Sequence, residues 1–485
     1  MEVGLINSTG RYLTAEFFGF RINATATTLG KKQCWFIEPG DNNVFYIRSH
    51  LGRYLSGDEK GNVSCTSESK GPNEQFIIEY CPENSGRWAL RNQQTSRYFG
   101  GNEDLLKCYE KEPTSMEWWI PHLAIHPQIN LQHVHRKTVA CLKDNSLLCL
   151  KTIPWGSDSL ITIDWEGKDG EAKYSLKSAN NLYLEQNGDL KENSSQACLY
   201  RLEVICGLKG GLAFKDEAEK YLTAVGPYGK MQTRKGTIGM EESFIFQNSY
   251  PQGAMLAQNH RNVSIRQGVS LLANQQELED NEIHQLEFEK ESGGWSFRAA
   301  NGKLWTVVND GIDAIADKKS KHILFDLEYF SDGWMAVKAR VSKKYLTLKD
   351  SSGKLSAAST HPEKFLFSMI NRPIIVLRTE YGFIGYNQYD MSIKCDNNLS
   401  HTFFLEHRNG EYHIKEKQNT GNYCWTVTSN KKVMLHDGVA YPFYFEHSSQ
   451  NKFVIRTQAN VYIKCEQNGT VKAEANRQNA TEIEF

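Results

Sequence analysis

Apolar and polar residues alternate along this chain in short runs. In NVFYIRS, Phe45 and Ile47 fall on one side and Tyr46 and Arg48 on the other, and NKFVIRTQ repeats the pattern with Phe453 and Ile455. Period-two alternation over five or six residues, bounded by Gly, Asn, Asp and Ser, predicts half-buried strands joined by hairpins. Gly61-Asn62-Val63 and Asn301-Gly302 supply turn chemistry, because glycine reaches positive φ at little cost. No long amphipathic helix is predicted.

Two phrases recur along the whole sequence. The first resembles Gly-x-Tyr-Leu and centres on Tyr12, Tyr54, Tyr98, Ala140, Tyr183, Tyr221, Val263, Leu304, Tyr345, Phe383, Tyr423 and Tyr462. The second is an apolar, aromatic-rich alternation, as in CWFIE at 34, QFIIEY at 75, SFIFQ at 243 and FYFEH at 443. Both phrases occur twelve times, at intervals of about 40 residues, a spacing that fits a propeller blade or one third of a β-trefoil. Propeller signatures are missing, and twelve blades exceed the usual number. In three of the four groups of three, the first copy also departs from the consensus, at 137–141, 260–263 and 381–384. The chain is therefore expected to be all-β, with four tandem β-trefoils at 1–125, 126–250, 251–370 and 371–485. The joints (PHLAIHPQIN, NSYPQG, INRP) are short, so neighbouring trefoils should pack rather than swing.

Composition narrows the function. The chain has 485 residues, 40% hydrophobic and 23% charged, with a formal net charge of −1. No global basic field marks a nucleic-acid binder. MEVGLINSTGRYLTAE lacks the features of a signal peptide, and no run has the length of a membrane span, so no membrane insertion is expected. The 11 scattered cysteines contain no C-x-x-C pair and read as reduced structural thiols. The sequons at Asn7, Asn62 and Asn262 then read as chance.

Catalytic spacings are absent, so no enzyme activity, cofactor or metal is expected. His133 and His135 could share one face of a strand and bind a metal, though two polar residues on a solvent face are the simpler reading. Gly207-Leu-Lys-Gly-Gly opens a strand and lacks the Lys-Ser/Thr of a phosphate loop. Gln33-Cys34-Trp35 matches the Q-x-W of sugar-binding trefoils but occurs once, leaving a lectin-like carbohydrate binder as the alternative reading. Short basic clusters remain: Lys31-Lys32, Arg136-Lys137, Arg234-Lys235, Lys318-Lys319 with Lys321, Lys343-Lys344 and Lys431-Lys432. Each alone suits a solvated loop. Spread over all four trefoils, they suit a protein that bridges acidic surfaces.

Longer stretches carry a resemblance: GLINSTGRYLTAEFFGFRINATATTLGKKQCW (4–35), RSHLGRYLSGDEKGNVSC (48–65), RYFGGNEDLLKC (97–108), HPQIN (126–130), PWGSDSLIT (154–162), RNVSIRQG (261–268), INRPIIVLRTEYGFIG (370–385) and GNYCWTV (421–427). In order and over four units, these resemble the fascin family of actin-bundling proteins. The resemblance implies four β-trefoils in two lobes, no enzyme activity, and a cytoplasmic, cytoskeletal monomer. Its implied partner is F-actin, crosslinked into parallel bundles in filopodia and similar cell projections. It implies one actin-binding surface between the first and fourth trefoils, with Arg11, Lys31, Lys32, Glu380, Tyr381 and Lys464. A second would use Arg87, Arg97, Gln128, Arg136 and Lys137, and a third Arg261, Ser264 and Arg266. Thr28 stands at the family's regulatory phosphorylation position, just before the lysines. Gly30, Tyr381 and Asn387 stand where the family usually has Lys, His and Arg, which makes the first surface less basic.

Overall fold

The structure is a computed structural model that describes residues 1–83, 85–167, 170–208, 210–318, 320–418, 421–438 and 440–485. Among these residues the structure is all-β, and its only helical pieces are three-residue 3-10 turns. The chain forms four β-trefoils grouped in two compact units, Met1–Thr152 with Ile161–Gln247, and Ile153–Leu160 with Asn248–Phe485.

The first trefoil shows the plan. Its strands are β1 (Glu2–Ile6), β2 (Tyr12–Ala15), β3 (Ile22–Ala26), β4 (Trp35–Pro39), β5 (Phe45–Ser49), β6 (Tyr54–Gly57), β7 (Val63–Ser67), β8 (Phe76–Tyr80), β9 (Trp88–Asn92), β10 (Tyr98–Asn102), β11 (Leu105–Glu110) and β12 (Trp118–Leu123). Six of them close a barrel through the pairings β1–β4, β4–β5, β5–β8, β8–β9, β9–β12 and β12–β1. Closure removes the open sheet edges that would otherwise invite aggregation. The other six form three capping hairpins, β2–β3, β6–β7 and β10–β11. The second recurring phrase supplies barrel strands and the first supplies the start of each hairpin.

The Gly-x-Tyr-Leu phrase has a defined local structure. Gly10 and Gly52 sit at φ +76° and +77°, each ending a turn whose amide donates to the carbonyl three residues back. The tyrosine two residues later marks a β-bulge, at Tyr12, Tyr54, Tyr98, Tyr221, Tyr345 and Tyr462. The same marker shifts the repeat by one residue at two copies. The bulges fall at Val139 and Asn262, not at Ala140 and Val263, with left-handed residues Lys137 and His260 two positions earlier. Both copies lack the aromatic, and alignment by apolar character slid onto the buried neighbour.

The tyrosine hydroxyl joins the two phrases. Tyr54 donates to Glu38 at 3.2 Å, Tyr98 to Glu79 at 2.6 Å, Tyr221 to Glu203 at 2.7 Å and Tyr462 to Glu446 at 2.9 Å. A cation from the next barrel strand holds the same carboxylate: Arg48 at 2.5 Å, Arg91 at 2.6 Å, Lys215 at 3.3 Å and Arg456 at 2.9 Å. Burial pushes the Glu38 carboxyl up, but Arg48 and Lys70 outweigh it and hold the group below the usual range. Burial and then Glu79 push the Tyr98 phenol up to about 12. Charge-assisted bonds of this kind rank among the stronger hydrogen bonds.

Within each unit the two trefoils share one continuous aromatic core, around Trp35, Trp88 and Trp119 in the first and Trp305, Phe443 and Trp425 in the second. Two buried tyrosine hydroxyls stitch each pair. Tyr80 accepts from Val204 N at 2.8 Å, and Tyr174 donates to Pro121 O at 2.7 Å. In the second unit Tyr329 accepts from His447 N at 3.1 Å, and Tyr412 accepts from Met369 N at 3.1 Å. The segment Ile153–Leu160 belongs by its contacts to the second unit, where Trp155 Nε1 donates to Asp280 O at 3.1 Å.

Candidate functional site

Lys31 and Lys32 occupy a 3-10 turn, Lys31–Gln33, that leads into β4. Gln33 is buried: its Oε1 accepts from Gly30 N at 3.0 Å and its Nε2 donates to Thr14 Oγ1 at 3.0 Å. Trp35 is fully buried, its indole donating to Leu13 O at 2.9 Å. The Q-x-W phrase is thus a turn cap, and Glu74, Glu117, Glu242 and Glu282 fill the same role at their own turns. With the cap buried, both lysines project outward. Lys32 pairs with Glu16 at 2.6 Å. His50 lies beside them: burial lowers its pKa first, and the Lys31 and Lys32 charges lower it further, the mark of a positive local field. Arg11 is exposed, with its guanidinium near Thr25 O at 3.4 Å, and Thr28 lies in an exposed bend before Gly30.

The second group of residues divides. Lys137 is exposed at φ +55°, the position glycine takes in the first trefoil. Arg136 is an internal strut, donating to Glu241 Oε2 at 3.0 Å, Gly226 O at 2.9 Å and Ala224 O at 2.8 Å. Arg87 donates to Gly170 O at 2.7 Å. Arg97 donates to Tyr109 O at 2.8 Å and lies over that exposed ring at 4.7 Å. Gln128 is buried, so its side chain is out of reach of a large partner. His133 ends its strand fully buried, bonded to Glu241 O at 3.0 Å, while His135 stands exposed in the following turn. The two share no face, which removes both the metal reading and the solvent-face reading.

In the third trefoil Ser264 is also buried and donates to Glu282 Oε1 at 2.5 Å. Arg266 holds the other oxygen of Glu282 at 2.7 Å and reaches Glu279 at 3.0 Å. Burial raises the Glu282 pKa, but Arg266 and Ser264 outweigh it and lower it. Arg261 is partly exposed nearby in sequence. Lys319 lies outside the described residues.

The fourth trefoil carries a lysine row that only partly shows in the sequence. Lys464 faces Lys472 across its hairpin, Lys472 is bridged to Lys432, and Lys394 is bridged to Thr470. Residues directly opposite, or two apart on one strand, point the same way, so the four side chains emerge on one face. Glu466 at 3.4 Å and Glu474 at 3.9 Å partly offset Lys472. Contacts from Tyr381 N to Thr379 Oγ1 (3.1 Å), Thr379 to Cys395 O (3.3 Å) and Cys395 Sγ to Glu466 O (3.5 Å) lead from the exposed Glu380–Tyr381 turn towards the lysine-bearing strand. Slight burial and then the Glu380 charge raise the Tyr381 phenol, so it stays a neutral donor. Lys472 was hidden from sequence reading because it stands alone, without a basic neighbour.

All cysteines are free thiols, and the described residues contain no cluster of His, Cys, Asp and Glu able to hold a metal.

A family profile described as Fascin domain matches residues 9–120, 258–368 and 380–483. Fascin-2 of Bos taurus is 35% identical over 98% of this chain and 96% of its own length. Fascin-2 of Homo sapiens is 35% identical with the same coverage. Fascin of Strongylocentrotus purpuratus is 30% identical over 97% of this chain and 96% of its own. With three profile matches and near full-length relatives, the chain belongs to the fascin family.

Proposed function

We propose that this protein binds F-actin and crosslinks filaments, as a monomer, into the parallel bundles of filopodia and other protrusions. The reading rests on family membership and on one observation: each unit carries its own exposed cations on short turns anchored to closed barrels. A monomeric crosslinker requires at least two such surfaces. The contacts are assigned to Arg11, Lys31 and Lys32, to Lys137 with Arg87 and Arg97, to Arg261 with a lesser share from Arg266, which Glu282 and Glu279 hold back, and to Lys464 with Glu380 and Tyr381. Arg136 and Ser264 contribute by holding these turns in place, and Gln128 contributes from within the fold. Cations pairing with acidic groups on actin give binding that weakens with salt. A phosphate on Thr28 adds nearly two negative charges beside Lys31 and Lys32 and weakens the first contact.

Low-speed sedimentation of actin filaments with the purified chain at low salt tests the reading. Filaments should pellet as bundles. Filaments left in the supernatant at saturating protein would overturn it.

A further inference from the structure

The tip between β2 and β3 reads Glu16-Phe17-Phe18-Gly19-Phe20-Arg21. Phe17 is 75% exposed and Phe18 85%. The tip is nonetheless well anchored. Glu16 N donates to Arg21 O at 2.8 Å, and Gly19 and Phe20 take positive φ of 67° and 49°. Phe20 lies under the Arg53 guanidinium at 4.6 Å, and Arg53 is itself held by Thr66 O at 3.1 Å and Glu68 at 2.6 Å. One phenylalanine is pinned while two are turned outward. A phenylalanine in the left-handed region is strained, and each exposed ring forgoes the stabilisation of burial. The scaffold does not demand this arrangement. The corresponding tip of the second trefoil is Lys143-Asp144-Asn145-Ser146, and that of the third, residues 265–271, exposes one small apolar residue, Val269, and no aromatic.

The surroundings indicate the partner's chemistry. Glu16, at the foot of the tip, pairs with Lys32 at 2.6 Å, which joins the tip to the lysine turn. Arg21 is exposed on the other side, its side chain running alongside Gly19. Arg21, Lys31, Lys32 and Arg53 thus stand against Glu16 and Glu68, and the apolar tip has a net positive fringe. Such a tip fits an apolar cleft bordered by carboxylates.

We propose that Phe17 and Phe18 form an anchor that enters a hydrophobic, acid-rimmed cleft on the actin filament beside the contact of Lys31 and Lys32. This rests on the proposed actin binding. It adds an affinity that salt does not screen to the salt-sensitive contact of the two lysines.

The test compares wild type, Phe17→Ser/Phe18→Ser and Phe17→Leu/Phe18→Leu in high-speed filament sedimentation at about 0.05 M and about 0.3 M salt. The rings are exposed, so thermal stability should match across all three. The serine variant should bind about threefold more weakly than wild type at low salt and tenfold or more weakly at high salt. The leucine variant should recover most of the loss. Equal binding by serine variant and wild type at both salts would overturn the anchor while leaving actin binding intact. Failure of wild type to bind filaments would overturn both. Wild-type binding to phosphatidylserine vesicles that the serine variant loses, with filament binding unchanged, would assign the tip to a lipid surface and overturn the proposal.

Discussion

The turns at 30–33 and 279–282 are the same piece of structure with opposite electrostatics. In each, the last side chain accepts from the amide three residues back, Gly30 at 3.0 Å and Glu279 at 2.9 Å, and meets a hydroxyl on the preceding hairpin, Thr14 or Ser264. In the first trefoil the cap is the neutral Gln33, and Lys31 and Lys32 face outward. In the third it is the buried Glu282, and the nearest cation, Arg266, is drawn into it at 2.7 Å. One capping position therefore decides whether a neighbouring charge is offered to a partner or neutralised within the fold. Basic residues of equal prominence in the sequence need not contribute equally to binding.

The largest expected contrast lies between the units. Burial lowers the pKa of His284, His407 and His447 to about 4, and all three belong to the second unit. They are neutral in the folded chain and take up protons on unfolding near the ordinary value of 6.5. Their contribution is complete above about pH 6.5 and lost as pH falls towards 4, about 3 kcal/mol for each histidine. Burial also lowers the pKa of His50 and His133 in the first unit, so calorimetry across this window should show both units losing stability and the second losing more; equal loss in both would contradict the assignment. Next, Lys31→Glu/Lys32→Glu should weaken low-salt bundling about tenfold or more with melting unchanged, because exposed ion pairs add little stability. Glu282→Gln makes the third turn like the first. It should cost about 2 kcal/mol through loss of the charged partner and raise low-salt filament binding about twofold by releasing Arg266. Unchanged binding would mean that Arg266 faces no filament. Thr28→Asp should reduce bundling about threefold, an effect that vanishes at high salt. Smallest, Lys137→Gly should raise stability by about 0.5 kcal/mol in denaturant melts, since a lysine at φ +55° is strained.

The repeat, the strand pattern and the trefoil class were legible because aromatic phrases recur at a fixed spacing and alternation has only one regular reading. Register failed at two of the copies that lack the tyrosine, at Val139 and Asn262, and held at two others, Leu304 and Phe383. The site was less legible. Lys31 and Lys32 stand out as a pair, but nothing local shows that Ser264 and Gln128 point inward. The partner of Ser264 lies 18 residues away in sequence, on a different turn. The Q-x-W phrase invited a sugar-binding reading because the capping role of Gln33 becomes visible only when Glu74, Glu117, Glu242 and Glu282 are seen doing the same work. Lys472 needs its cross-strand partners to matter at all.

Barrel closure has a mechanical consequence. In the first trefoil Val3 lies opposite Leu123, and in the third Gly253 lies opposite Met369, so the chain enters and leaves each barrel at one end of a single antiparallel ladder. Tension transmitted along the backbone would peel that ladder one hydrogen bond at a time, the geometry in which a sheet resists force least. A crosslinker under load should carry force through side chains packed between trefoils, such as Tyr80 and Tyr329, and single-molecule pulling from chain ends should open these modules far more readily than pulling across the packed faces.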